Sequence, residues 1–73
     1  MSIFYQLDLV IDILIQNNIS FDKKQILGFW EDDFNELKEE TKRISPDYRH
    51  DNPDGTFDLR YAGCIFLIKN LTV

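Results

Sequence analysis

Residues 21 to 44 read FDKKQILGFWEDDFNELKEETKRI. Asp22 is a good N-cap residue, because its carboxylate can accept a hydrogen bond from a backbone N–H that lacks a partner in the first turn. Gln25, three residues on, can reach back to the cap, and Phe21 and Ile26 have the spacing of a hydrophobic staple. An apolar row follows at Ile26, Trp30, Phe34, Leu37, Thr41 and Ile44, in steps of four and three, which is the period of one helix face. Lys42 and Arg43 stand in the last turn, where the helix dipole favours cations. Ser45-Pro46 ends the pattern, since a residue before proline is pushed out of the α region. The stretch therefore predicts one long helix from Asp22 to Ile44. Gly28 inside it costs about 1 kcal/mol relative to alanine, and close approach of a neighbouring helix is the expected reason for it.

The opposite face of this segment carries Glu31, Asp32, Asp33, Glu36, Glu39 and Glu40. The formal charge of the whole chain is −5, and residues 31 to 40, with six acids and one lysine, account for all of it. The remaining residues are balanced. Such a distribution argues against direct nucleic-acid contact, which needs Lys and Arg on the phosphates, and equally against anionic membrane surfaces. Asp32 with Glu36, and Glu36 with Glu40, are like charges four apart, a spacing that weakens a helix by a few tenths of a kcal/mol. A face tuned only for solubility more often alternates signs. The face reads either as solvated surface or as a docking surface that steers association with something basic. Trp30 beside it reads either as core packing or as an anchor of the kind enriched at interface hot spots.

Residues 2 to 18 fit two patterns. On a helix, Ile3, Phe4, Leu7, Ile11, Leu14 and Ile15 share a face, with Ser2 as a cap and Asn17-Asn18 as a left-handed stop. As a strand, Ile3, Tyr5, Leu7, Leu9, Ile11, Ile13 and Ile15 alternate with more polar neighbours. A strand of that length is well above the usual five or six residues, so the helix is preferred. Leu9, Val10 and Ile13 then extend its apolar surface, as on a central helix or one covered by another subunit.

Further on, Asn52-Pro53-Asp54-Gly55 suits a type I turn followed by a left-handed residue. Thr56 to Tyr61 alternates, with Phe57, Leu59 and Tyr61 on one side, which predicts a half-buried strand and a hairpin. Cys64 to Ile68 is a continuous apolar run that fits a buried strand.

These readings combine into an α+β fold within one domain of residues 1–73. A two-helix hairpin is followed by a C-terminal β-hairpin or small antiparallel sheet; the alternative is β-α-β-β, with residues 3–16 as a strand.

Chemistry-bearing motifs are scarce. The single Cys64 excludes an intrachain disulfide and reads as a small core hydrophobe, fitting a reduced cytoplasmic setting. The N-terminal stretch has no positive charge ahead of it to mark a signal peptide, and it is too short and acidic to span a bilayer. The loop from His50 to Asp54 lacks acids at both end positions of a calcium loop. His50 with Cys64 or nearby carboxylates does not make a nucleophile, base and orienting group. Tyr48, Arg49, Arg60 and Tyr61 could gather on the hairpin around a base or phosphate. No phosphate loop, zinc spacing or dinucleotide fingerprint is present, so no enzyme activity, cofactor or metal is expected.

The leading expectation is a non-enzymatic protein-binding module, an acidic inhibitor or antidote that masks a basic surface of a nucleic-acid-processing partner. Its site is Trp30 with the six acids. Immunity, antidote and anti-defence proteins share this size and acidity, although no motif ties the chain to one of them. The alternatives are a homodimer or larger structural assembly joined through the first helix, and a small nucleotide- or metal-binding protein using the 47–61 hairpin.

Overall fold

The computed structural model describes residues 4–72. The elements run α1 (Phe4–Gln16), β1 (Gln25–Phe29), α2 (Glu31–Glu40), β2 (Arg49–Asp51), β3 (Phe57–Tyr61) and β4 (Cys64–Asn70). The strands form one sheet in the order β1-β4-β3-β2, with β1 parallel to β4 and the other pairs antiparallel. The class is α+β, with two helices and C-terminal antiparallel strands, as expected.

Residues 4–16 are helical, so the strand alternative for this segment is not adopted. The expected cap at Ser2 and the apolar Ile3 lie outside the described residues. The helix stops at Asn18, whose φ of 54 is left-handed. There the N–H of Ile19 bonds to the carbonyl of Leu14 and that of Asn18 to Ile15, which is a Schellman ending.

The single helix expected from Asp22 to Ile44 does not form. Its first part is strand β1, and α2 begins only at Glu31 with Trp30 as its N-cap. Two physical causes act together. Ile26, Gly28 and Phe29 are indifferent or poor helix formers. And β4 is apolar on both of its faces, so it gains most as a central strand paired on both sides. β1 supplies the second neighbour. Gly28 does mark a close approach, but to a side chain rather than to a helix: a Cβ built there would lie 2.5 Å from Leu71 Cδ2.

From Phe34 onward the expected apolar row holds. Phe34, Leu37 and Thr41 are buried and Ile44 is half-buried. Of the two turns between strands, the one at residues 52–55 is the one expected from its residues. Gly55 has φ 91, with its N–H bonded to Asn52. Ala62 and Gly63, at φ 50 and 79, close the β3–β4 hairpin as a two-residue turn of the type that matches strand twist.

Both helices cover one face of the sheet. Leu7, Ile11 and Leu14 of α1 and Phe34 and Leu37 of α2 join Phe29, Phe57, Leu59, Cys64, Phe66 and Ile68 in one buried cluster. α2 crosses the sheet obliquely. It starts where β1 ends, and near its far end the Thr41 hydroxyl accepts a bond from Arg49 Nε of β2 at 2.9 Å. By strand alternation, Ile26, Gly28, Ile65, Leu67, Lys69, Asp58, Arg60 and His50 point to the other face. No helix lies on that face among the described residues.

Candidate functional site

The turn from β1 into α2 builds the site. Phe29 is buried, and the extended backbone at Trp30 (φ −67, ψ 159) carries its indole to the opposite side. Trp30 is 66% exposed. Of the two readings of this tryptophan, core packing is thereby removed. Trp30 offers no side-chain bond to the helix it caps. The N–H of Glu31 is met instead by Thr72 Oγ1 at 2.9 Å.

Glu31, Asp32 and Asp33 form the first turn of α2, where the positive end of the helix dipole favours carboxylates. Asp32, Glu36 and Glu39 then follow at steps of four and three along the outward ridge, with Glu40 beside them. All six acids are exposed. Among the described residues only Glu39 has an ion-pair partner, Lys42 at 4.0 Å. Both of its members are 72% exposed, so the pair contributes little. The remaining five carboxylates have no ion-pair partner among the described residues.

The 47–61 hairpin gathers only part of its ring and guanidinium groups: Tyr48, Arg49 and Arg60 line one shallow cleft and Tyr61 does not. Arg49 and Tyr61 point to the covered face, while Tyr48 and Arg60 alternate to the open one. The Arg49 side chain is 8% exposed. It lies over the Phe57 ring at 4.6 Å and donates to Thr41 and, at 2.9 Å, to Asp51. Tyr61 packs on Phe4 and donates its hydroxyl to Asp8 at 2.8 Å. That bond, then burial and the Asp8 charge, raises the phenol pKa.

The turn acids are also engaged. Asp54 accepts both the hydroxyl and the N–H of Thr56, which lowers its pKa. Asn52 donates to Thr56 and Asp58, and Asp58 pairs with Lys24 at 3.0 Å. A shallow cleft on the open face, lined in part by Lys24, His50, Asp58 and Arg60, therefore has one of its cations already neutralised. No group of three or more His, Cys, Asp or Glu among the described residues is placed to hold a metal. Cys64 is fully buried, and burial raises its thiol pKa. No helix among the described residues is long and apolar enough to cross a membrane.

Known proteins do not supply a likeness. No family model, curated protein or solved structure matches the chain.

Two surfaces lie outside the expected site. Tyr5, Leu9 and Ile13 form an exposed stripe along α1, and Ile26 lies exposed on β1 with Leu71 exposed over Gly28. The second was hidden by reading residues 22–30 as helix. A signal for it existed: three acids in a row, Glu31-Asp32-Asp33, mark a helix start, which leaves Gln25–Phe29 free to be a strand.

Proposed function

We propose that the chain is a non-enzymatic protein-binding module that presents Trp30 and the acidic face of α2 to a basic partner. A nucleic-acid-processing protein fits that description, because its phosphate-binding surface is rich in Lys and Arg. The chain then acts as an inhibitor by covering that surface. The observation that carries this reading is Trp30. An indole that is 66% exposed at an N-cap gives up about 1 kcal/mol relative to Ser, Thr, Asp or Asn, and a binding role is the compensation. Five unneutralised carboxylates on the adjoining helix supply the complementary field.

The test is capture of partners from the native host on immobilised wild-type chain, on Trp30→Ala and on Glu36→Lys/Glu40→Lys. A basic nucleic-acid-binding protein should be held by the wild type and lost from both variants. With that partner purified, the charge reversal should slow association and flatten its dependence on salt. Retention of the same proteins by all three chains sinks the reading.

A further inference from the structure

The two edges of the sheet are built differently. β2 has three residues, Arg49-His50-Asp51, with Pro46 and Pro53 on either side. A short, charged strand flanked by prolines is the usual protection against pairing with another chain. β1 has none of these devices. It reads Gln-Ile-Leu-Gly-Phe, without charge or proline, and its register with β4 is unbroken. The Phe29 carbonyl accepts the N–H of Leu71, so residues 25, 27 and 29 aim their backbone groups at β4. By alternation, Ile26 and Gly28 aim theirs outward. Both are exposed, and neither makes a hydrogen bond on that side among the described residues.

We propose that this edge receives β1 of a second copy of the chain, antiparallel, about a two-fold axis through Leu27. This register pairs all five residues of the strand. Ile26 and Gly28 of the two copies exchange both of their backbone hydrogen bonds. Each Ile26 side chain crosses to the glycine of the other copy, beside the Leu71 that already covers it. Gln25 stands opposite Phe29, and Leu27 opposite itself.

Charge supports the same register. Just outside the paired segment, Lys23 of one copy comes alongside Glu31 of the other, and Lys24 alongside Trp30. Neither Lys23 nor Glu31 has an ion-pair partner among the described residues. α2 begins at Glu31 and Lys23 lies in a bend, so the strand register ends before these residues. The same approach brings Asp22 near Asp32, which offsets part of the attraction between the lysines of one copy and the three acids of the other. α2 runs away from β1 across the sheet, so it does not cover the edge. The joined sheet ends in β2 on both sides, and every remaining edge is of the protected kind. The interface is isologous and closed. It does not need the basic partner proposed above, with which it would share Trp30 and Glu31 at its margin.

Sedimentation velocity of the purified chain from low micromolar to millimolar concentration tests this. A concentration-dependent dimer is expected. Ile26→Pro removes an outward N–H and leaves the bonds to β4 in place, so it should give a monomer with an unchanged circular dichroism spectrum. Lys23→Glu and Glu31→Lys should each weaken the dimer on the order of tenfold, since symmetry breaks two pairs at once, and the double variant should recover it. Should Ile26→Pro fail to fold, the charge exchange decides. A monomer throughout overturns the proposal. So does a dimer indifferent to the charge exchange, or one broken by Leu9→Glu in α1 and by neither edge variant.

Discussion

At Trp30 the chain passes from strand to helix, and an indole fills a position that a short hydroxyl or carboxylate side chain serves best. Replacing it separates stability from binding. Trp30→Ser should raise the unfolding free energy by about 1 kcal/mol, because the hydroxyl can accept an N–H of the first turn. Thermal or urea unfolding reads this directly. The same variant should lose the partner. A loss of stability would mean that the indole packs usefully on its own chain. Gly28 makes a related point at the same scale. Its role as a point of close approach is legible in the sequence, because glycine inside any regular element needs a reason. The identity of the neighbour is not, because Leu71 is brought there by pairing between strands far apart in the chain.

Among the elements, Arg49 ties the end of α2 to β2. Arg49 stacks over Phe57, bonds Thr41 and pairs with Asp51. Arg49→Ala should cost about 2–3 kcal/mol through the lost cation–π contact and charge-assisted bond. Arg49→Lys should recover only part, because an ammonium lacks the planar fork. A change below about 0.5 kcal/mol, the scale of ordinary surface substitutions, would show the bridge to be idle.

The elements differ in how far the sequence reveals them. α2 from Phe34 on, the β3 alternation and the turn at residues 52–55 follow from local rules, because period and turn chemistry are local. The split at Trp30 does not. The row Ile26, Trp30, Phe34 keeps helical spacing across it, yet Ile26 and Trp30 are exposed and only Phe34 is buried. What overrides the spacing is the demand of β4 for a second neighbour, and that demand comes from more than thirty residues away. The acidic site is legible as a group of residues, since all six lie on one exposed helix. The bare edge beside it is not, because edges exist only once strands are ordered.

Over the molecule as a whole, charge and protonation set the working range. The Cys64 thiol and the Tyr61 phenol both have raised pKa values, the first by burial and the second chiefly by its bond to Asp8. The folded chain therefore holds these protons more tightly than the unfolded one. Their contributions are complete below the ordinary values of 9.0 and 10.0 and are lost as pH rises through the raised ones. Stability should be level near neutrality and decline above about pH 9, as read by urea unfolding across pH. Tyr61→Phe should remove the upper part of the decline. An alkaline branch identical in that variant would exclude the phenol.

The pairing of β1 with β4 also fixes an order of events in time. Glu31 and Thr72, which meet at the start of α2, are 41 residues apart. During synthesis the β3–β4 hairpin can close on its own, while β1 has nothing to lie against until β4 has left the ribosome. For that interval QILGF is a bare strand on both sides, and closing so long a loop is the slow step. The nascent chain is then most exposed to wrong pairing in the interval before β4 emerges.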